Sequence, residues 1–466
     1  MSKRPTFVYV DSPGHAEQQT QRNENEPRHS DQLARPDRPQ QHPQVQHFLQ
    51  AVCQPVRATK LHSDIQEELL SHIEPQVQEH IELGLSKEEA VKAALTGMGD
   101  PAHIGKGFDN AHRPRTDWAL LIPLLLFAGT GTLIYYGISL GNPKYANLFT
   151  AKAIFTLAGL AIMAALWAAD YERLKKYAEH SFGIGIAILA LGSLSAFTTE
   201  INGQAGWFLI GGYFVIYAPS IAILPLIIGL AGARAAKVWS WRSAIGELAY
   251  RGALPLLLSL GLKAHIWAAI YAAVFMVHVW LTKRNKLQAL AIISGMTVVL
   301  ACVVLNSRTL LIRLTAFFQN DQQGAGYFAA RSMDAMSSAG WLGQGFGASG
   351  NAMKFSYSDS VLPYFMYSFG WAAGYALILL VIVFVYKLLL SVLFIKDDFG
   401  KRMAAGITAM LAIQFIWPLL KIFGYAPFSD IDFPFLSHGG SAQFIQYAMI
   451  GLLLGIYRRR DMISAP

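Results

Sequence analysis

Two kinds of residue are scarce in this chain of 466 residues: cysteine, present twice, and charged side chains, which make up 15%. Cys53 precedes the apolar part of the chain and Cys302 lies inside a long apolar run, so the pair predicts neither a disulfide framework nor a Cys-based zinc site. So little charge excludes an ordinary soluble domain, which must cover its surface with polar groups. No apolar N-terminal leader is expected either. Residues 1–43 are polar, so the first apolar run, far down the chain, is expected to act as the insertion signal. The formal net charge of +8 predicts no nucleic-acid partner, because the basic residues sit mostly in short connections between apolar runs.

What is abundant is apolar surface: 53% of the residues are hydrophobic and the mean hydropathy is +0.33. From Trp118 onward the apolar residues form runs of about 18–25, long enough to cross a hydrocarbon core of roughly 30 Å as helix. Backbone polar groups in lipid must be satisfied within each segment, so the runs are helices. The expected fold class is all-α: a polytopic membrane protein with about ten transmembrane helices, plus a small cytosolic helical domain. Spans are expected near 118–138, 153–169, 182–198, 213–232, 252–263, 265–281, 287–305, 361–386, 403–422 and 442–457, the fifth being too short to cross alone. Lys and Arg cluster at alternate span ends: Arg173, Lys175 and Lys176; Arg234 to Arg251; Lys283 to Lys286; Lys396 to Arg402; Arg458 to Arg460. Those ends are expected to be cytoplasmic, with both termini, in the cytoplasmic membrane.

Three regions follow. Residues 1–43, rich in Gln, Arg, Pro, His, Asn and Glu, are expected to be disordered. Residues 44–112 read as a small soluble helical domain on the cytosolic side. Ile65, Leu69, Ile73, Val77 and Ile81 recur every fourth residue, giving one slowly drifting apolar stripe that Pro75 is expected to kink or break. Ser86 to Glu89 forms a capping-box pattern, and Asp100-Pro101 supplies an N-cap and N1 proline for the next helix. The plainer alternative is an appendage with no ligand of its own. Residues 113–466 are the membrane domain.

Three outward loops stand out. One, near 199–212, contains Asn202-Gly203-Gln204-Ala205-Gly206-Trp207. A second, 306–360, is far too long for a connector. The third, near 423–441, carries Pro434-Phe435-Leu436-Ser437-His438-Gly439-Gly440-Ser441. The long loop holds Arg308, Arg313, Arg331 and Lys354, which suit an anionic lipid headgroup or pyrophosphate, or pair with Asp321, Asp334 or ordinary membrane lipids. Asp359, just before the eighth span, fits either a helix N-cap or a carboxylate able to take a proton from a hydroxyl. Gly345 to Gly350 matches the spacing of a dinucleotide loop but lacks the strand and βαβ unit that such a loop needs. His265, His278 and His438 have no metal-ligand spacing, and His278 reads as a hydrogen-bonded core residue.

The outward loops resemble the FtsW/RodA/SpoVE (SEDS) family, over roughly residues 118–460. Phe433 to Ser441 is similar to the family's L-P-F-[IV]-S-Y-G-G-S. Gly326-Tyr327 with Gly340 to Gly345 is similar to its G-Y-Q…G-G-x-x-G-x-G. Asn202-Gly203…Trp207 with Ile210-Gly211-Gly212 and Pro219-Ser220 is similar to N-G-A-x-R-W-I-x-[IL]-G…Q-P-S-E. The resemblance implies a peptidoglycan glycosyltransferase that polymerises glycan strands from lipid II at the outer membrane face, for division or cell shape, with a class B penicillin-binding protein as partner. It implies that Asp359, matched through Ser358-Asp359-Ser360 and Gly370, is the general base. The base would deprotonate a sugar 4-hydroxyl, which attacks the anomeric carbon of a second lipid-linked sugar with inversion as polyprenyl pyrophosphate leaves. It places Trp207, Ser437, His438, Gly439, Gly440 and Ser441, with the loop cations, in substrate binding. Those cations, with or without a divalent ion such as Mg or Mn, would stabilise the leaving group.

The chain departs from the family pattern at several polar positions. Gly206 replaces the motif arginine, Ile221 the glutamate after Pro-Ser, Tyr367 and Ser368 the paired glutamates, and His438 the motif tyrosine. The Q-P-D-x-G segment has no counterpart around Leu262-Lys263-Ala264-His265. Residues 44–112 resemble a permease-prefix or HAAS-like domain through Glu68-Leu69, His72-Ile73, Glu88-Glu89-Ala90 and Met98 to Pro101. Two other functions stay open beside the enzyme: a catalytically silent scaffold or sensor, which the lost polar positions favour, and a lipid II flippase, which the scarcity of ionisable residues in the spans disfavours.

Overall fold

The computed structural model describes residues 42–57, 59–112, 117–141, 146–201, 203–211, 214–233, 241–283, 285–319, 327–348, 361–426, 431–438 and 440–460. Among them, the chain divides into two compact units. One runs to Gln54 and resumes over Gln66–Gly105; the other comprises Pro55–Ile65 and the chain from Lys106.

The N-terminal helices form where their end signals place them. α1 is Pro43–Cys53, α2 His62–Glu82, α3 Lys87–Met98 and α4 Pro101–His112. The α2 stripe is buried at Ile65, Leu69, Ile73 and Val77, and Ile81 emerges to 37% exposure as the four-residue repeat drifts off the buried face. Pro75 does not break α2, which continues through it. Ser86 Oγ accepts from Glu89 N at 3.4 Å while Ser86 N donates to Glu89 Oε2 at 3.2 Å, closing the capping box that starts α3. Asp100 accepts from Ala102 N and His103 N, so it caps α4.

The second unit is a bundle of apolar helices. Among the described residues, seven are long and apolar enough to cross a membrane: α5 Trp118–Gly141, α6 Ala146–Ala168, α12 His265–Thr282, α13 Lys286–Asn306, α16 Val361–Leu393, α17 Asp398–Ile422 and α18 Gly440–Arg459. A short α7, Glu172–Lys176, precedes α8, Ala178–Gly192; α8 and α9, Ala218–Ala231, are shorter apolar helices. The fifth span, expected to be too short, is extended. α10, Trp241–Glu247, passes through a π-helical turn at Leu248–Ala253 into α11, Leu254–Gly261, and the composite reaches about 30 Å. The π turn frees the Arg251 carbonyl, which accepts from the Tyr271 hydroxyl of α12. α17 and α18 are the most buried spans, whereas α13 turns Leu287, Leu290, Val298 and Leu305 outward, the pattern of a lipid-facing helix.

The helices alternate in direction, which gives the bundle two unlike ends. One end collects Arg173, Lys175, Lys176, Lys283, Lys286, Lys396, Lys401, Arg402 and Arg458–Arg460. Ion pairs Arg251–Glu179 and Lys283–Glu247 tie helices together toward it. His278 is buried there, with Nε2 3.3 Å from Thr282 Oγ1, the hydrogen-bonded core residue expected of it. The other end carries a three-stranded antiparallel sheet that the helical periodicities did not predict: β1 Thr199–Ile201, β2 Gln204–Ile210 and β3 Phe214–Tyr217, in the order β1-β2-β3. The loop expected at 199–212 is therefore a pair of hairpins, and α9 starts at Ala218, later than the expected 213. Among its described residues the long segment 306–360 also contains two helices, α14 Arg308–Phe318 and α15 Tyr327–Ser337.

Candidate functional site at the sheet end of the bundle

The site is built around one buried ammonium. Lys152 sits near the start of α6 with no exposed surface, and the chain around it is apolar. Its Nζ donates to Phe435 O and Ser437 O, both at 2.7 Å, and to Gln443 Oε1 at 3.2 Å. An ammonium has three hydrogens, and all three are used. A charge buried this far from water persists only when its donors are satisfied, so Lys152 and the loop at 433–438 define each other's positions.

The same loop is gripped from two more directions and braced within itself. His438 N donates to the Tyr135 hydroxyl at 2.8 Å, from α5. Phe435 N donates to Gln446 Oε1 at 3.4 Å, from α18. Within the loop, Ser437 Oγ accepts from Phe433 N at 3.0 Å. Phe435 adopts φ +63°, a left-handed conformation rare for a bulky residue and held here by surrounding contacts. Gly131 of α5 makes the approach possible: a Cβ there would stand 2.5 Å from Phe435 O.

Beside this loop lies a cavity of about 340 Å³. One wall is aromatic. Trp207 on β2 and Tyr217 on β3 are register partners, and their rings stack with centroids 4.3 Å apart; Trp267 of α12 meets Tyr217 edge-on. A second wall is polar and is formed by Gln204, Gln414, Gln446 and Ser441. Asp432 and His438 also line it, together with apolar side chains such as Val215, Ile270 and Ile431. Ser441 Oγ accepts from Tyr217 N at 3.4 Å, which joins the sheet to the loop. The Trp207 indole N–H is buried and has no partner among the described residues. Burial, then the Lys152 charge, push the His438 imidazole down to about 4, so it is neutral at pH 7.

The glycine-rich segment that follows α15 docks elsewhere. α16 is broken at Gly370, with φ +82°, and the freed backbone pairs with this segment. Trp371 N donates to Gly340 O at 3.0 Å, Ala372 N to Trp341 O at 3.2 Å, Gln344 N to Tyr367 O at 2.9 Å, and Gly345 N to Ser368 O at 3.1 Å. The two backbones meet so closely that a Cβ at Gly343 would clash with Ser368 and one at Gly370 with Trp341. Tyr367 and Ser368 thus contribute carbonyls to this docking.

The structure brings Trp207, Ser437, His438, Gly440 and Ser441 together at the cavity or its supporting loop. Arg308, at the start of α14, and Arg331, on α15 and 3.8 Å from Asp334 Oδ2, are exposed and do not line it. Arg313 lies on α14. Asp359, Lys354 and Gly439 lie outside the described residues, as does the side chain of Arg313. Sequence reasoning missed Lys152, Asp432 and the glutamines. Lys152 fell one residue before the expected second span; a cation at that boundary reads as interfacial unless its burial is known. Gln414, Gln443 and Gln446 were visible as amides inside apolar runs, which is the signal that could have found them. Asp432 adjoins the motif but precedes its first matched residue.

The helices, the clamped loop and the cavity define a polytopic α-helical membrane protein with a ligand-sized site at one end of its bundle. The chain belongs to the cell cycle protein family FtsW/RodA/SpoVE, whose pattern matches residues 117–462. It is 28% identical to the probable peptidoglycan glycosyltransferase FtsW of Thioalkalivibrio sp. (strain K90mix) over 375 residues, covering 76% of this chain and 92% of that protein. With the peptidoglycan glycosyltransferase RodA of Mycobacterium bovis it shares 23% identity over 387 residues, 76% of this chain and 81% of that one. Among solved structures, a chain described under structural coordination of polymerization and crosslinking by a peptidoglycan synthase complex superposes with a TM-score of 0.62 at 20% identity, covering 74% of this chain and 98% of that one. The rod shape determining protein RodA of Thermus thermophilus gives a TM-score of 0.55 at 18% identity, covering 74% of this chain and 97% of that one. These structural likenesses show the fold.

Proposed function

We propose that this protein is a peptidoglycan glycosyltransferase that polymerises glycan strands from lipid II at the outer face of the cytoplasmic membrane, in division or cell-shape control. The observation that carries the reading is the cavity: motif residues from two widely separated stretches of sequence, Trp207 in one and His438 and Ser441 in the other, line one ligand-sized space. Family membership and relatives named as glycosyltransferases support it. The basic end of the bundle would face the cytosol, with both termini, and the sheet end the exterior where lipid II is consumed. A class B penicillin-binding protein would be the partner; the likeness to a chain from a peptidoglycan synthase complex supports one.

Asp359 is the proposed general base, two residues before the first turn of α16. It would accept the proton of one sugar's 4-hydroxyl; that oxygen would bond to the anomeric carbon of the second lipid-linked sugar, and the bond to polyprenyl pyrophosphate would break. Arg308, Arg313, Arg331 and Lys354 are proposed to neutralise the pyrophosphate as it departs. Among the described residues no three His, Cys, Asp or Glu side chains stand close enough to hold a metal ion. The test is polymer formation from lipid II by the purified protein with its partner. Asp359→Ala should abolish polymer while the protein is still produced and folded; full activity in that variant would remove the enzymatic reading.

A catalytically silent scaffold is the second reading, favoured by Gly206 and Ile221 at positions where the family has arginine and glutamate. Gly206 takes φ +90° and lies against Leu262, a backbone that disfavours a side chain. A cellular phenotype that survives Asp359→Ala but is lost on deleting residues 44–112 would decide for the scaffold.

A further inference from the structure

We infer that Asp432 is the specificity-determining carboxylate of a saccharide subsite, and that the cavity it lines takes an uncharged sugar and not the pyrophosphate. The inference rests on the glycosyltransferase reading and deepens it. Its first ground is the lining. Aromatic faces at Trp207, Tyr217 and Trp267, amides at Gln204 and Gln414, and one carboxylate at Asp432 surround a single space. Aromatic faces suit the C–H faces of a pyranose ring, while amides and a carboxylate suit its hydroxyl and acetamido groups. At about 340 Å³ the cavity is at the small end of ligand sites, which fits one or two sugar rings and not a whole lipid-linked precursor.

The second ground is charge. His438 is neutral at pH 7, and the exposed Arg308 and Arg331 are not part of the lining. Lys152 is close enough to Asp432 for their charges to interact, but its three donors are committed to Phe435, Ser437 and Gln443. An anion in this space would therefore meet Asp432's negative charge and find no free ammonium hydrogen. A sugar would find the reverse. A carboxylate offers about four acceptor positions, the chemistry that a sugar's hydroxyl donors match. The unpartnered Trp207 indole N–H adds a donor for a ring or acetamido oxygen.

The experiment measures binding of two probes to the full-length protein in lipid nanodiscs: the polyprenyl-pyrophosphate-linked disaccharide–peptide, and polyprenyl pyrophosphate without sugar. Asp432→Asn keeps the shape and removes the charge. It should weaken the first probe about ten- to hundredfold, as expected for loss of hydrogen bonds to a charged acceptor. Affinity for the second probe should stay equal or increase. Equal binding of the disaccharide probe by wild type and variant, or parallel loss of both probes, overturns the inference; so does a variant whose only change is lower thermal stability, which would make Asp432 merely the counter-ion of Lys152. A second measurement needs no variant. Carbodiimide coupling of glycinamide to Asp432 in the wild-type protein, read by mass spectrometry, should be blocked by the soluble disaccharide–peptide and not by inorganic pyrophosphate; the opposite pattern overturns the inference. A wild-type protein that polymerises lipid II while Asp432→Asn binds and polymerises equally well would sink this inference and leave the enzymatic reading standing. A wild-type protein that binds the disaccharide through Asp432 but forms no polymer with its partner would do the opposite.

Discussion

Two motif segments reach the sheet end as irregular chain, and the bundle holds them by different means. The stretch Phe433–His438 is held by side chains: the Lys152 ammonium, the Tyr135 hydroxyl and the Gln446 amide bond its backbone. The stretch Gly340–Gly345 is held chiefly by backbone, paired with the carbonyls and amides that the Gly370 break releases from α16, and the Gln344 side-chain amide adds a bond to Ser338 O. The difference teaches where each segment is vulnerable. A side-chain clamp fails when one functional group is removed. A backbone dock tolerates changes in chemistry but not an added carbon.

The comparison can be broken experimentally, and the largest effect is expected at Lys152. Lys152→Met leaves two carbonyls and an amide oxygen buried without their donor, a loss of about 3 kcal/mol or more. Denaturation of the purified protein in detergent checks this, and unchanged stability would show that the clamp is not what holds the loop. Next comes Gly370→Ala. It forces a Cβ into the Trp341 carbonyl at a left-handed φ, for about 2 kcal/mol. Limited proteolysis should then cut faster between 306 and 348 while Phe433–His438 stays protected; equal protection of both stretches would mean that the dock does not depend on the break. Tyr135→Phe should cost about 1 kcal/mol, because it removes one neutral acceptor from His438 N.

The fourth effect vanishes at neutral pH. His438 is held near 4 when folded, against an ordinary 6.5, by burial first and the Lys152 charge second. The unfolded chain therefore binds more protons than the folded one between these values, and stability must fall as pH drops from about 6.5 toward 4. His438→Asn should flatten that part of the curve; an unaltered slope would show that another group titrates there.

Much of the molecule was legible in advance. The apolar runs read as helices because a spanning segment must satisfy its own backbone, and Ser86 and Asp100 announced the starts of α3 and α4. The motif loop was legible because its residues are contiguous. Pro75 misled, since a proline is tolerated in a helix whose stripe is otherwise buried. The sheet at 199–217 was not legible, because strands of three, seven and four residues in a loop rich in glycine carry little periodicity.

What the sequence by itself determined was the class of chain: apolar lengths, basic ends and three motif loops in a set order, all of them local patterns along one dimension. The tertiary structure alone decided that Lys152 belongs to the loop some 283 residues away, that Trp207 stacks on Tyr217, and that Asp432 shares a space with Gln414. The reason is physical. Whether an ionisable or amide side chain is interfacial, clamped or ligand-facing depends on which helices close around it, and that is a property of packing between segments that no single segment encodes.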